Sequence, residues 1–397
     1  MYIHEMNERD VTPRFLGKSF LLRHERDMQY IRESGIRDLW IDVTRSLVIA
    51  PEPPAEPGES VPRSEGVPAL GNNCQTVPMA EEIERAMQLC TQSKAIVARI
   101  FSDVRMGRIA ELEAVDDLVT EVANSLLRHP DALLSMARLK SADEYTYLHS
   151  LAVCALMIGL ARQLALPDKL VHEAGLAGLL LDIGKLGVPS VILGKPGNLS
   201  DDELAAIRRH PETGVHLLSR SGQFSEHVLD VCRHHHERYD GSGYPDKLAG
   251  SQISLFARMG AICDVYDAIT SDRPHKARWS PAESIGKMAG WSGLFDEKIF
   301  HAFVKCVGIY PVGSLVRLQS GRLGIVIEQN QASLLKPKVR IFYSALRKVP
   351  IEHALIDLAS ADQDDRIISR ECSRQWGFKN LDRIWLGEPL KQASGLC

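Results

Sequence analysis

The 397-residue sequence lacks the features that mark membrane proteins and proteins that bind nucleic-acid duplexes. Its longest apolar run, from Leu151 to Ala161, is about half a membrane span, and no signal peptide is visible. The formal net charge of −4 provides no basic surface of the kind that a duplex requires. We therefore expect no membrane span and no duplex partner, and any small anionic ligand would need local cations.

Cysteine pairs at metal-binding or redox spacing are also absent. None of the eight cysteines belongs to a Cys-x-x-Cys pair, and several lie in apolar runs. Such cysteines are typical of reduced core residues or free thiols in a reducing compartment. The sequence therefore predicts a cytoplasmic protein.

Changes in composition divide the chain into four segments, and its length suggests two or three domains with large cores. We predict a small α/β unit at 1–50, a proline-rich linker at 51–78, a helical domain at 79–305 and a β-rich extension at 306–397. The linker prediction rests on seven prolines and a shortage of apolar residues between them.

Local patterns refine the two outer segments. A helix is predicted from Glu25 to Ser34 and a strand from Asp38 to Val43. In the extension, residues 312–343 alternate in the manner of strands around a hairpin turn at Gln319–Gly321, which suggests a small barrel-like cap. Met1 to Glu5 has the pattern of the middle of a strand, so we expect either a start codon annotated too late or a missing first strand.

The segment richest in chemistry is Cys232–Pro245. Three adjacent histidines, His234 to His236, end an apolar, helix-like segment, and a glycine-rich turn follows at once. Imidazoles bind Zn, Mn and Fe well, and glycines let the backbone approach a ligand closely. A metal site is therefore the first hypothesis, although a histidine cluster alone could also be a surface feature.

Further candidate ligands lie in the helical segment. His149 lies on an apolar helical face, where a lone histidine is more often a satisfied core residue than a ligand. The others recur after about one helix and a turn, as expected if successive helices each aim one ligand at a common centre. They are Asp182, His210, the pair His235 and His236, and Asp264.

These motifs resemble the HD-GYP family of metal-dependent phosphodiesterases that hydrolyse cyclic di-GMP. The resemblance covers roughly Tyr145 to Ala277, and it rests on Asp240–Pro245 after His235–Glu237, together with Ser271–Pro274. It implies a mainly α fold, an HD-type helical bundle. The N-terminal residues resemble a small domain that often precedes this family, and the tail resembles its β-rich extension.

The resemblance implies a role for each matching residue. Asp182 would bridge two metals, His149 and Asp264 would complete the first site, and His210, His235 and His236 would complete the second. Lys185 would act with Asp182 in catalysis and would hold the substrate phosphate together with Arg273 and Lys276. A loop formed by Gly243, Tyr244 and Pro245 would contribute to the site and to contacts with protein partners. The implied cofactor is Fe or Mn, two ions at most.

The chain departs from the family at the name-giving position. Leu181 stands where the family has the histidine of its His-Asp pair, and leucine cannot coordinate a metal. We therefore expect a weakened first site. The glutamate that marks a three-metal site in some relatives is replaced by Tyr145, so no third metal is expected.

Three hypotheses follow from this departure. The first is a cyclic di-GMP phosphodiesterase with a compromised first metal site, and the second is a nearly inactive module that binds a nucleotide or a partner. The third, an HD-type hydrolase of another nucleotide, is disfavoured by the complete Gly-Tyr-Pro signature.

The sequence also predicts the roles of three residues near the ligands. Asp267 accepts a hydrogen bond from a ligand histidine, Glu237 accepts one from a neighbouring histidine, and His234 is exposed.

Overall fold

The computed structural model describes two compact units, residues 1–66 and 67–397. The described residues are 2–6, 20–21, 39–42, 75–106, 112–139, 145–195, 197–220, 224–271, 278–330, 332–378 and 381–386. The predicted fold class, mainly helical with a β-rich C-terminal part, is confirmed.

The first unit contains a three-stranded antiparallel sheet in the order β2-β1-β3. Its strands are β1 Tyr2–Met6, β2 Phe20–Leu21 and β3 Leu39–Asp42. The strand patterns at the start of the chain and near residue 40 are thereby confirmed. The helix predicted at 25–34 lies outside the described residues.

The second unit begins with the helical part. Its helices are α1 Met79–Arg105, α2 Leu112–Arg128, α3 Pro130–Ala137, α4 Tyr145–Gln163, α5 Asp168–Leu180, α6 Ser190–Leu193, α7 Asp201–Arg208, α8 His210–Ser219, α9 Glu226–His234, α10 Leu255–Thr270, α11 Pro281–Ala289 and α12 Glu297–Val307. A 3-10 helix, Ile183–Gly187, follows α5, and another, Gly250–Gln252, precedes α10.

Local sequence explains where several of these helices begin. Ser200 and Glu203 form a reciprocal capping box at α7, and the Ser254 hydroxyl accepts a hydrogen bond from the Ala257 amide at α10. The Asp296 carboxylate accepts hydrogen bonds from two amides at the start of α12. These caps satisfy amide groups that have no partner within the helix.

Helix α4 forms the centre of the bundle. It is apolar almost all round and packs against α1, α3, α5 and α10, so that residues 148–158 are all buried. A helix without a polar face is stable in water only when neighbours cover every side of it. Within the described part of the chain, no helix is both long enough and apolar enough to cross a membrane.

The C-terminal part is an antiparallel sheet in the order β7-β6-β5-β4-β8. Its strands are β4 Leu315–Leu318, β5 Arg322–Glu328, β6 Lys338–Ser344, β7 Val349–Asp357 and β8 Ile367–Arg370, and the short helices α13 Ser373–Trp376 and α14 Asp382–Leu386 follow. The predicted turn at Gln319–Gly321 joins β4 to β5. The predicted barrel-like shape is wrong for the described residues, because β7 and β8 are the two edges of the sheet.

The sheet and the bundle share a core. Leu315, Leu323 and Ile325 pack in the same cluster as the bundle helices, whereas Val316 and Val326 contribute to a smaller cluster on the opposite face. This division follows from the alternation of side chains along a strand. Polar contacts cross the same boundary, among them a hydrogen bond of 2.7 Å from the Gln329 backbone amide to the Asp131 carboxylate.

Candidate metal centre

Five elements of the bundle bring six predicted ligands together. His149 lies in α4, Asp182 precedes the first 3-10 helix, His210 begins α8, His235 and His236 follow α9, and Asp264 lies in α10. All are buried except His236, which is half-buried. Their ligand atoms fall into two groups in which all atoms lie within 4.8 Å of one another: Asp182, His210, His235 and His236, and His149, Asp182 and Asp264.

A glycine, Gly184, allows the segment that carries Asp182 to pack against the helix that carries His210. A Cβ atom on Gly184 would lie only 1.9 Å from the carbonyl oxygen of His210. The 3-10 helix after Asp182 therefore packs directly against the start of α8, which only a residue without a side chain permits. This contact brings the carboxylate of Asp182 beside the ring of His210.

In the histidine-rich group, His210 Nε2 lies 3.3 Å from Asp182 Oδ1 and 3.3 Å from His235 Nε2. His210 Nδ1 donates to the carbonyl of Ile207 at 2.7 Å, and His235 Nδ1 donates to the carbonyl of Val231 at 3.0 Å. A carbonyl only accepts, so the proton of each neutral ring is on Nδ1 and the facing Nε2 atoms are both bare. Two lone pairs this close repel each other, and a cation bound between them would remove that repulsion.

In the carboxylate-rich group, His149 Nε2 lies 3.2 Å from Asp182 Oδ2 and 3.1 Å from Asp264 Oδ1. His149 Nδ1 donates to Asp267 Oδ2 at 2.6 Å, which confirms the predicted acceptor role of Asp267. Burial alone would lower the pKa of His149, but hydrogen bonds with the three aspartates raise it to about 10. Three carboxylates around one imidazole ring are an environment that favours a cation.

The charges of the carboxylates support the same conclusion. Burial alone would raise the pKa of Asp182, but Lys185 and the imidazole rings that surround the carboxylate hold it well below its usual range. The pKa of Asp264 is likewise lowered, against burial, chiefly by its hydrogen bond with His149. Burial and the neighbouring His235 lower the pKa of His236, so its ring is neutral and can act as a ligand. Ionised carboxylates and neutral imidazoles are the forms that bind metal.

These residues therefore fit a metal centre. The donors are the imidazole and carboxylate groups that divalent metals prefer in proteins. Asp182 Oδ1 is buried and accepts no hydrogen bond within the described residues. The separation of 3.3 Å between His210 Nε2 and His235 Nε2 is close to that expected for two nitrogens that are each about 2.1 Å from one ion.

The Gly-Tyr-Pro loop covers His236. The Tyr244 ring stacks on the His236 ring with centroids 4.7 Å apart, and the Tyr244 amide donates to the His236 carbonyl at 3.3 Å. A Cβ atom on Gly243 would lie 2.4 Å from the Cα atom of Glu237, so glycine is needed for this close approach. Burial and the nearby Asp264 and Asp182 raise the pKa of Tyr244, and its hydroxyl keeps its proton.

The remaining predicted site residues differ in how the structure places them. Lys185 Nζ lies 2.5 Å from Asp182 Oδ2, and its side chain is 28% exposed, so it reaches both the centre and the solvent. Leu181 directly follows the last residue of α5, Leu180, as its C-cap and is buried in the apolar core. Arg273 and Lys276 lie outside the described residues.

Two predictions for neighbouring residues are wrong. His234 is not exposed, because its two ring nitrogens contact Asp230 Oδ1 at 2.7 Å and Asp246 Oδ2 at 2.9 Å. Among the described residues, no histidine donates to Glu237, because its Oε1 accepts from the Asp246 backbone amide at 2.7 Å and its Oε2 has no hydrogen-bond partner there. The spacing of four residues between Asp230 and His234 was a usable signal, since such pairs meet on a helix. The contribution of Asp246 depends on the path of the loop and had no local signal.

Comparison with known proteins follows this geometry. Residues 97–299 match the family described as HD domain, and residues 1–115 match a domain of unknown function, DUF3391. The protein named Cyclic di-GMP phosphodiesterase PA4108, from Pseudomonas aeruginosa, is 55% identical over 368 residues, which cover 93% of this chain and 88% of that protein. The chain belongs to the HD domain family. Its HD-GYP membership, predicted from the motifs, is confirmed.

Other HD-GYP relatives match over shorter stretches. The Cyclic di-GMP phosphodiesterase response regulator RpfG, from Xanthomonas campestris, is 33% identical over 221 residues, which cover 55% of this chain and 56% of that protein. Among solved structures, the HDG"Y"P protein Bd1817 from Bdellovibrio bacteriovorus superposes with a TM-score of 0.47 at 20% identity, covering 56% of this chain and 76% of that one. The HD domain family is metal-dependent, in agreement with the two ligand groups.

Proposed function

We propose that this HD-GYP protein is a phosphodiesterase that hydrolyses cyclic di-GMP at a centre of two metal ions, Fe or Mn. The observation that carries the proposal is the arrangement of Asp182, whose Oδ2 faces His149 and whose Oδ1 faces His210. One carboxylate thus belongs to both ligand groups and can bridge two ions. The names of the two relatives support cyclic di-GMP as the substrate.

The residues around the centre have distinct tasks in this proposal. His149 and Asp264 hold the first ion with Asp182, and His210, His235 and His236 hold the second. Bound metal supplies a nucleophile that exists near pH 7 and positive charge that offsets the developing charge of the phosphodiester. Asp267 fixes the tautomer of His149, because its carboxylate accepts from Nδ1 and leaves Nε2 for the ion.

Substrate contacts come from cations beside the centre. Lys185 is anchored by Asp182 yet partly exposed, so its ammonium group can reach a phosphate oxygen. Arg273 and Lys276 are proposed to hold the same phosphate, and an arginine is suited to a bidentate contact. The Tyr244 hydroxyl is a further donor next to His236.

We propose that the first site is the weaker one. It has one imidazole and two carboxylates, whereas the second has three imidazoles and the shared carboxylate. Leu181 adds no donor and is buried in the apolar core. This asymmetry also supports the alternative, a module that binds a nucleotide or a protein partner through the Gly-Tyr-Pro loop with little catalysis.

Measurement of metal content together with hydrolysis separates these alternatives. Protein purified without chelator should hold between about one and two ions per chain, because the first site is only partly filled, and it should hydrolyse cyclic di-GMP in added Mn. Asp182→Ala should lose both properties, whereas Asp117→Ala, at an exposed aspartate of α2, should lose neither. One ion or none, without turnover, would support the binding module.

The cellular setting is a proposal that rests on the thiols. Cys154, Cys232 and Cys263 are free and buried. Burial raises the pKa of each of these thiols, so they act as apolar core groups. We propose a reducing compartment, the cytoplasm, in which such cysteines remain unmodified.

A further inference from the structure

We propose that the groove between α7 and the Gly-Tyr-Pro loop binds the half of the cyclic dinucleotide that is not being cleaved, with Arg208 on the second phosphate and Asp201 on the guanine edge. This inference rests on the proposed function. When one phosphodiester of a cyclic dinucleotide is at the metal centre, the second phosphate and a purine must lie outside it.

The groove adjoins the metal centre through Tyr244, which lines it. The Tyr244 ring stacks on the His236 ring at 4.7 Å, and the guanidinium carbon of Arg208 lies 5.5 Å from the Tyr244 ring centroid. Asp201, Leu204, Ala205, Arg208 and Arg209 line the groove opposite Tyr244 and Pro245. A ligand held at His236 would therefore extend along Tyr244 towards Arg208.

One face of α7 forms a wall of this groove. Asp201, Leu204, Ala205 and Arg208 are spaced at i, i+3, i+4 and i+7, so they share one side of the helix. Helix α7 buries none of its residues, and Leu204 is 37% exposed. This face is an apolar strip with a cation at one end and a carboxylate at the other.

The charges on this face are complementary to a guanine nucleotide. Within the described part of the chain, neither Arg208 nor Arg209 forms an ion pair with a carboxylate, so both remain available to a phosphate. At the other end, the Asp201 carboxylate can accept the N–H groups of the guanine Watson–Crick edge, which adenine does not present in the same pattern. Asp201 and Arg208 are seven residues apart, or about 10 Å along the axis, comparable to the distance from a nucleotide phosphate to the far edge of its base.

The first test removes the cation. Arg208→Gln should raise the KM for cyclic di-GMP roughly tenfold to a hundredfold, the effect expected when a charge-assisted contact is lost. With bis(p-nitrophenyl) phosphate as the substrate, the loss of kcat/KM in this variant should be at least tenfold smaller than with cyclic di-GMP, because that diester has no second phosphate. Arg208→Lys should be intermediate, since it keeps the charge but loses the planar group above Tyr244. Arg347→Gln, an exposed arginine between β6 and β7, is the matched control.

The second test concerns the base. In the natural protein, the dissociation constant of cyclic di-AMP should be at least tenfold higher than that of cyclic di-GMP. The ratio of the two dissociation constants should be smaller in Asp201→Asn. Asp202→Asn, an exposed neighbour that points to a different side of α7, should leave the ratio as it was. An unchanged ratio in Asp201→Asn would overturn the guanine contact.

The outcomes separate this inference from the proposed function. If the natural protein does not hydrolyse cyclic di-GMP, the proposed function fails, and the dissociation constants of the same variants for cyclic di-GMP still report on the groove. If the natural protein is active and Arg208→Gln has the same KM and dissociation constant for cyclic di-GMP as the natural protein, the proposed subsite is wrong. The exposed arginines would then belong to a protein-contact surface.

Discussion

Asp182 is the side chain on which both ligand groups depend. Its Oδ2 lies 3.2 Å from His149 Nε2 and 2.5 Å from Lys185 Nζ, while its Oδ1 lies 3.3 Å from His210 Nε2. Each of the histidines belongs to only one group. Loss of Asp182 should therefore weaken both sites, whereas loss of His149 should weaken only the first.

Leu181 offers the most direct test at the scale of one residue. Leu181→His would add one neutral nitrogen donor beside Asp182 in a side chain of similar volume. We expect the metal content to rise towards about two ions per chain and hydrolysis in added Mn to rise with it. Elemental analysis and a cyclic di-GMP assay on the same preparation check this.

The control for this prediction keeps the size of the side chain and adds no donor atom. Leu181→Ile should leave the metal content no higher than in the natural protein. If Leu181→His binds no more metal and gains no turnover, and Asp182→Ala changes nothing in the natural protein, the centre has been repurposed for binding.

The spacing of the ligands was readable from the sequence for a physical reason. Each ligand lies in or at the end of an apolar helix, so burial of that helix carries the side chain inwards. His234 and Glu237 could not be assigned in this way, because their partner Asp246 belongs to the loop that folds back over α9. Contacts made by returning loops depend on tertiary structure and leave no periodic pattern.

At the scale of the element, the Gly-Tyr-Pro loop depends on close backbone contact. We expect Gly243→Ala to displace Tyr244 from His236, because its Cβ would lie 2.4 Å from both the Glu237 Cα atom and the Arg238 amide nitrogen. Turnover of cyclic di-GMP should fall by roughly a hundredfold, the order of effect caused by a displacement of about 1 Å. Gly290→Ala, at a negative φ and with no atom closer than 3.4 Å to the added methyl group, controls for the general effect of replacing a glycine by alanine. Equal activity in the two variants would contradict the role given to Gly243.

The first two helices of the bundle are joined by a buried charge. Glu82 is fully buried and accepts from Arg128 Nε at 2.7 Å and from the Ser125 hydroxyl at 2.7 Å. Glu82→Ala should lower the free energy of unfolding by about 2 to 3 kcal/mol, somewhat less than for a completely buried pair because Arg128 is partly exposed. Urea denaturation followed by circular dichroism measures this.

The neighbouring glutamate provides a matched control for this helix pair. Glu81 pairs with Arg85 at 2.7 Å, but both side chains are about half exposed. Glu81→Ala should therefore change the free energy of unfolding by less than about 1 kcal/mol. A similar loss in the two variants would show that burial of Glu82 is not the source of the stability.

At the scale of the whole molecule, composition predicted the order of helical and β-rich parts but not how they join. The predicted boundary near residue 305 falls close to the end of α12 at Val307, yet Leu315, Leu323 and Ile325 pack into the core of the bundle. Strand alternation shows that a sheet has two faces but does not show which partner covers each face. The boundary at residue 305 therefore stays a prediction.

The proline-rich segment at 51–78 carries the last prediction, which concerns the division of the chain. Its seven prolines and few apolar residues disfavour a packed core, and the chain divides nearby into units of residues 1–66 and 67–397. Light proteolysis should therefore cut first within 51–78 and leave a stable fragment that begins near Met79, where α1 starts. Mass spectrometry of the fragments locates the cut, and the circular dichroism of the large fragment should remain helical. First cuts between Met79 and Ala277 would mean that the helical domain opens more readily than the segment before it, and the predicted domain division would be wrong.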